Sequence, residues 1–294
     1  MDIRDLKVFL AAAKHLNYTR AGEEIHLSQP SVSVRIRQLE EELQVRLFDH
    51  IGKRVALSEA GRLLEMHARR AVAVLDDARQ AIEELQDLER GSLRIGASTT
   101  PGMYLVPRII AEFNKLHPDI AMRLSVKNTG QIEEDIINNE FDLGFVGGHL
   151  IGNDIDMLPW CIDELVLIAP PGNPLARRKN VKLSDLAKER FICREPGSAS
   201  RAVVEKYLSQ LNFSFEVSVE LGNPEAVKQS VMGGFGIAFL SKFALEAELK
   251  AKSLAIVNIK DLRINRELRI IHRKDKHLSR AASAFIKTAL KLRS

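Results

Sequence analysis

Two short stretches gather the side chains with the most chemistry. Ser98-Thr99-Thr100-Pro101-Gly102 sets three hydroxyls in a row where an apolar run ends and a helical pattern begins. Further along, Glu195-Pro196-Gly197-Ser198-Ala199-Ser200-Arg201 repeats that composition and adds a guanidinium. Free N–H groups at a helix N-terminus and the helix dipole both favour negative charge, so hydroxyls placed there make an anion site. Facing one another, the two stretches would clamp an oxyanion through Ser98, Thr99, Thr100, Ser198, Ser200 and Arg201. Capping of their own helices accounts for the same hydroxyls, and the two roles are compatible. Thr129 in Asn128-Thr129-Gly130 and Gly147 in Val146-Gly147-Gly148-His149 also end apolar runs and join the candidate lining, whereas Gly222-Asn223-Pro224-Glu225 reads as a plain turn.

A third stretch suits a different chemistry. From Ser28 to Glu40 the pattern is that of a helix with Ser28 as N-cap and Pro30 in the first turn, where its missing N–H costs nothing. Val32, Ile36, Leu39 and Leu43 share one stripe at helical spacing, which leaves Pro30, Val34 and Arg37 opposite, with Ser31 and Ser33 beside them and Gln29 in the first turn. Hydroxyls, a guanidinium and a valine methyl can read base edges in a DNA major groove. An ordinary amphipathic surface helix would show the same stripe.

Other reactive patterns fail on order or spacing. Gly233-Gly234-Phe235-Gly236 follows a helical stretch and precedes an apolar one, the reverse of a dinucleotide loop, and reads as a helix C-cap. There is no G-x-S-x-G elbow and no phosphate-binding P-loop. The eight histidines are scattered, Cys161 and Cys193 lack ligand-spaced partners, and Glu133-Glu134-Asp135 falls on a solvated helix face. A non-enzymatic protein without metal or cofactor is expected. The two separated cysteines suit a reducing compartment. Neither an export signal nor a run of about 18 apolar residues is present. A cytoplasmic protein that avoids membranes follows as the expectation.

Charge is unevenly spread. Of 294 residues, those from 1 to 91 hold 14 Lys/Arg against 16 Asp/Glu, while those from 251 to 294 hold 12 against 3. The end that looks like a DNA reader is near neutral, so binding there must come from placed side chains. The basic C-terminal end reads as a solvated helix face.

The elements that position these residues follow from periodicity. Asp2 to Leu16 is an amphipathic helix, Thr19 can cap a second helix through His26, and the break His26-Leu27-Ser28 leads into the third, as in a helix-turn-helix unit. Leu47 to Leu57 then reads as a two-stranded wing with Lys53 and Arg54 at its tip, placed for phosphate or minor groove unless the tip is merely solvated. Leu64, Ala68, Ala71, Leu75, Ala78, Ile82 and Leu85 keep heptad spacing along one long helix. Such a seam pairs with a second copy or packs on the chain's own second half. Beyond Gly91 strands and helices alternate: strands at 93–97, 120–126 and 141–146, helices at 103–116 and 131–138. A second series follows, with strands at 164–169, 215–221 and 236–240, helices after Ser200 and over 224–232, then a strand at 269–272 and a helix at 278–292.

Together the motifs Ser28-Gln29-Pro30-Ser31-Val32-Ser33, Leu39-Glu40, Leu47-Phe48-Asp49 and Leu57-Ser58-Glu59-Ala60-Gly61 resemble the LysR-type transcriptional regulators. Arg35 stands where that family usually carries Gln, and Val34 where a polar residue is common. The resemblance implies an all-α winged helix-turn-helix N-terminal domain (1–58), a linker and dimerisation helix (59–90), and an α/β effector-binding domain (91–294). That last domain would take the type 2 periplasmic-binding-protein fold, with subdomain I about 91–163 plus 266–294 and subdomain II about 164–265, and a ligand cleft between them. It also implies double-stranded promoter DNA as partner, self-association to a dimer and a tetramer, and contact with RNA polymerase. Within the family, Ser98-Thr99-Thr100, Pro196 to Arg201 and Asn223 to Lys228 look most like the branch that regulates sulfur assimilation and carbon fixation. That implies sulfite, sulfate or a small acidic metabolite as effector. A solute-binding protein of the same fold without a gene-regulatory role is the alternative, although it would need an export signal and would not need the first 90 residues.

Overall fold

The computed structural model describes residues 1–51, 54–86, 91–148, 152 and 154–292, with side chains of 50, 51, 54, 77, 80, 81 and 83–86 outside the description. The chain divides into two compact units, Met1–Asp87 and Leu88–Ser294.

In the first unit, α1 (Ile3–His15), α2 (Tyr18–Ile25) and α3 (Gln29–Leu43) wrap one apolar core. Each begins on a side-chain cap: Asp2 for α1, Asn17 for α2 and Ser28 for α3. Asn17, and not Thr19, caps α2, because its Oδ1 accepts from the N–H groups of Thr19 and Arg20. The wing is the antiparallel pair β1 (Phe48–Ile51) and β2 (Arg54–Leu57). Glu40 ties α3 to it, since Oε1 accepts from the N–H of Leu47 at 2.7 Å and of Phe48 at 3.2 Å. Then α4 (Glu59–Gln86) begins with Ser58, whose Oγ donates to the Arg46 carbonyl and accepts from Gly61 N–H. A Cβ on Gly61 would stand 2.1 Å from the Leu47 carbonyl oxygen, so only glycine lets the helix start this close to the wing. Leu64, Ala68 and Val72 bury the first turns of α4 on the core of the unit.

The second unit runs β3 (Gly91–Ser98), a wide π-type turn at Pro101–Leu105, α5 (Val106–Leu116), β4 (Ile120–Lys127), α6 (Thr129–Ile137), β5 (Leu143–Gly147), β6 (Ile155–Ala169), β7 (Phe191–Arg194), α7 (Ala199–Gln210), β8 (Val217–Leu221), α8 (Pro224–Met232), β9 (Ala238–Ser241), α9 (Glu246–Lys250), β10 (Ala255–Val257), β11 (Ile264–Arg273) and α10 (Arg280–Lys291). The main sheet has the order β10-β6-β11-β5-β3-β4, with β9 beside β6. Strands β3, β4 and β5 are parallel, as their helical crossovers require. By contrast β11 runs antiparallel to both β5 and β6. A separate parallel pair, β7 and β8, completes the second half of the unit.

Each half has its own core. Leu93, Ile95, Phe113, Phe145 and Phe285 fill the first, where three of the aromatic rings meet edge to face. Val166, Ile192, Val227 and Leu240 lie in the second, beside a further cluster around Phe191. Strand β6 belongs to both halves, pairing with β11 over Ile155–Leu165 and with β9 and β10 over Leu165–Ala169. It extends well before residue 164, where the sequence pattern placed its start. Pro159 hides that extension: it has no N–H for the ladder, and the register with β11 slips at Leu268/Arg269 opposite it. Among the described residues, no helix is long and apolar enough to cross a membrane.

Candidate functional site

In the first unit α3 shows its polar side outward. Gln29, Pro30, Ser31, Val34 and Arg37 are exposed, Val34 at 50%, and Ser33 is half-buried beside them. Ser28 Oγ accepts from Ser31 N–H and lies 2.8 Å from Ser31 Oγ, so the cap also steers the neighbouring hydroxyl. Arg35 turns away from this face. Its Nη1 donates to Asp5 Oδ1 at 2.9 Å, which braces α3 against the first turn of α1. Arg37 makes no ion pair among the described residues. Lys53 lies outside the described residues, as does the side chain of Arg54.

The heptad positions of α4 divide in two. Leu64 and Ala68 are spent on the core of their own unit, because α4 lies along α1 there. Ala71, Leu75, Ala78 and Ile82 are exposed, although Val72 still packs on the core and Lys7 of α1 pairs with Asp76. Leu85 has its side chain outside the description.

In the second unit a cleft of about 270 Å³, counting its open mouth, lies where β3, β7 and β11 meet the starts of α6 and α7. Ser98, Thr99, Thr100, Thr129, Ser198 and Ser200 line it, so the two hydroxyl-rich stretches do face each other. Five of these six residues are buried, Thr99 being the exception. Ser198 caps α7 by accepting from Arg201 N–H, and its Oγ sits 2.9 Å from Ser200 Oγ. Thr129 Oγ1 donates to the Gly147 carbonyl at 3.2 Å, which draws the start of α6 to the end of β5. Gly147 itself stands behind the wall: a Cβ there would meet Leu268 at 2.6 Å and the Arg266 guanidinium at 3.3 Å.

Arg201 is the clear departure from the sequence reading. It sits three residues beyond the Ser198 cap, and that helical offset aims it away from the cleft. Its Nε donates to Glu205 at 2.7 Å, and its Nη1 to the Arg194 carbonyl and Glu220. Two carboxylates hold its guanidinium well above the usual range. Among the described residues the cations lining the cleft are instead Arg194 and Arg266, neither singled out from sequence. Arg194 ends β7, where Nη2 comes within 3.4 Å of Thr99 Oγ1 and where Nε and Nη2 engage Glu195. Arg266 in β11 donates from Nη2 to Thr100 Oγ1 at 3.0 Å and from Nε to Asp163 Oδ2 at 2.8 Å. Asp163 is fully buried and also accepts from Ser241; burial pushes its carboxyl up, while Arg266 and Ser241 oppose that. Part of a signal was available: Arg194 closes the otherwise apolar run Phe191-Ile192-Cys193, whereas Arg266 sits among Asn265, Glu267 and Arg269 and carries no such mark. A cation inside a strand must have a partner.

Beside the cleft Tyr104 donates from its hydroxyl to Glu225 at 2.7 Å, and Lys228 lies 5.5 Å over the Tyr104 ring. Burial, followed by the hydrogen bond to Glu225, pushes the Tyr104 hydroxyl well up. Burial alone would raise the Glu225 carboxyl, but the bonds from Lys228 and Tyr104 hold it low. This contact joins the first half of the unit to the second. Burial also raises the Cys193 thiol to about 11, so that cysteine is an inert core side chain.

Residues 3–62 match the model of the bacterial regulatory helix-turn-helix proteins of the lysR family, and residues 86–293 match the LysR substrate binding domain. A RuBisCO operon transcriptional regulator of Allochromatium vinosum is 36% identical over 285 residues, 97% of this chain and 94% of that protein. Among solved structures, the Synechocystis PCC6803 CcmR regulatory domain in complex with 2-PG is 33% identical, with a TM-score of 0.65 over 69% of this chain and 97% of that one. A full-length OxyR from Pseudomonas aeruginosa shares the fold at a TM-score of 0.81 and 20% identity, covering 100% of this chain and 96% of that one.

Proposed function

Because this chain belongs to the LysR family of bacterial transcriptional regulators, and is not an enzyme, we propose that its cleft senses a small oxyanion and that α3 reads the promoter. LysR regulators bind promoter DNA and small effectors and self-associate. The observation that carries the effector reading is the convergence of two buried guanidinium groups, Arg194 and Arg266, with six hydroxyl side chains from the end of β3 and the starts of α6 and α7. Anions are stabilised by that combination of cations, hydroxyls and a helix N-terminus. Sulfite, sulfate and a small phosphorylated or carboxylated metabolite all fit the chemistry. The cleft opens to solvent, so it leaves room for an organic tail on the bound group. The 2-PG complex of the CcmR domain supports the same choice.

On this reading Gln29, Pro30, Ser31, Ser33, Val34 and Arg37 enter the major groove, with Lys53 and Arg54 on phosphate or minor groove. The exposed stretch Ala71, Leu75, Ala78, Ile82 and Leu85 pairs with a second copy, and pairs of dimers form the tetramer that could contact RNA polymerase. Effector binding favours one closure of the two halves and so shifts how the dimers bend DNA.

A thermal-shift panel of sulfate, sulfite, inorganic phosphate and 2-PG tests the sensor. A true ligand at 100 times its Kd stabilises by about 2.7 kcal/mol, and Thr100→Val removes much of that gain. Equal shifts in wild type and Thr100→Val for every anion overturn the assignment.

A further inference from the structure

The two-donor edge of Arg194 is already filled by the next residue in the chain. Nε donates to Glu195 Oε2 at 2.7 Å and Nη2 donates to Oε1 at 2.8 Å, the parallel pair of bonds that a guanidinium offers to carboxylate, sulfate or phosphate. Neighbouring side chains in a strand point to opposite faces, so this pair forms only because β7 stops at Arg194.

A tight turn follows at once. Ser198 N–H donates to the Glu195 carbonyl at 3.2 Å, Pro196 takes the second position, and Gly197 takes the third with φ +86°. Those are the marks of a type II turn, in which the third residue must adopt positive φ. Glu195 N–H donates to the Leu221 carbonyl at 3.2 Å, so the backbone of Glu195 is pinned through both of its polar groups.

Its carboxylate is not pinned in the same way. The Glu195 side chain is 32% exposed, against 5% for that of Arg194. The carboxylate can therefore rotate into water while the guanidinium stays, held also by its contact with Thr99. Charge adds a second reason for exchange. Asp163 balances Arg266 and Glu195 balances Arg194, so an anion meets a neutral wall as long as Glu195 stays on its arginine.

We propose that Glu195 is a built-in competitor: its carboxylate holds the edge of Arg194 that the effector's oxyanion takes, and the effector binds by sending Glu195 into solvent. This rests on the reading of the cleft as the effector site. It defines the recognised group as one that sets two anionic oxygens on a planar fork, and it excludes neutral ligands of similar size. It also sets a threshold. A carboxylate tethered this close acts at an effective concentration of about millimolar or above, so the sensor ignores weak anions without losing any contact to the bound effector.

Calorimetric titration of the full-length chain with inorganic phosphate, sulfate and 2-PG tests this. The variants are Glu195→Gln, Glu195→Ala and the charge-matched control Glu205→Gln, whose carboxylate pairs with Arg201 outside the cleft. Both Glu195 variants should bind the preferred anion about tenfold more tightly, while Glu205→Gln stays within about twofold of wild type. A residue that merely positioned Arg194 would give the opposite, weaker binding. Binding by wild type that is unchanged or weakened in both Glu195 variants overturns the proposal alone. No binding of any of the three anions by wild type or variants overturns the cleft reading and the competitor with it.

Discussion

Replacing Arg266 by methionine separates the stabilising role of that residue from its place in the cleft. Nε and Nη2 both lie 2.8 Å from Asp163 Oδ2, and Asp163 is fully buried. Without the guanidinium that carboxylate keeps only the Ser241 hydroxyl at 2.6 Å among its described partners. An ion pair broken from one side in a protein interior costs about 3–5 kcal/mol, out of a total stability of about 5–15 kcal/mol for a domain. With a urea dependence of about 2 kcal/mol/M, the unfolding midpoint of Arg266→Met should fall by roughly 1.5–2.5 M. The carboxyl can escape by taking a proton, since burial already raises it despite Arg266. A carboxyl raised in the folded state makes stability fall as pH rises above the unfolded value, so the loss should be deeper at pH 8 than at pH 5. Adding Asp163→Asn removes the stranded charge and should return the midpoint to within about 0.5 M of wild type. That double variant, folded but without the guanidinium, should still fail to bind phosphate or 2-PG. Equal midpoints for the single and double variants would refute the reasoning, because the cost could not then lie in the unpaired carboxylate.

Three other outcomes follow from the same geometry. Arg37→Ala should weaken promoter binding and relax selectivity at one base position by about 1–3 kcal/mol, read by gel shift on matched and singly altered sites; an equal loss on all sequences would make Arg37 a phosphate contact. Leu75→Glu with Ile82→Glu should shift sedimentation toward the monomer while leaving the helical circular dichroism of the folded chain unchanged, and an unaltered sedimentation profile would exclude that stretch from the pairing. Asp142 is buried between Arg94 and Lys276; burial would raise its carboxyl, but their hydrogen bonds and charges hold it low. Its contribution is therefore complete above the ordinary carboxylate range and lost as pH falls through that range, so wild type should lose stability more steeply than Asp142→Asn between pH 5 and pH 3.

Most of the helices were legible from local pattern, through apolar spacing and, for α3, the Ser28 cap. Asn17 and Asn223 also cap the helices that follow them, but the sequence pattern had pointed to Thr19 for α2 and to a plain turn at Asn223. The hydroxyls of the cleft were legible for the same reason, since they lie where strands end and helices begin. Arg194 and Arg266 were not, because they converge only once β7 and β11 come together, and nothing local records a pairing between residues 163 and 266. Arg201 misled through its company: it shares a hydroxyl-rich stretch with Ser198 and Ser200, yet the helix turns it toward Glu205 and Glu220. Strand β7 is only four residues long and wholly buried, a length at which periodicity has no power to separate strand from core helix.

The join between wing and α4 has a mechanical consequence. Ser58 bonds the Arg46 carbonyl, Arg62 bonds the Leu57 carbonyl, and Gly61 admits no slack against Leu47, so α3, wing and first turns of α4 form one stiff piece. A helix of 28 residues is a lever about 42 Å long. Tilting such a lever by about 5° at its far end carries the reader sideways by roughly 4 Å, close to the rise of about one base pair. Two copies clamped along their exposed stretches would work as a gauge, in which a small change of angle between levers selects operators that differ by a single base pair in half-site spacing.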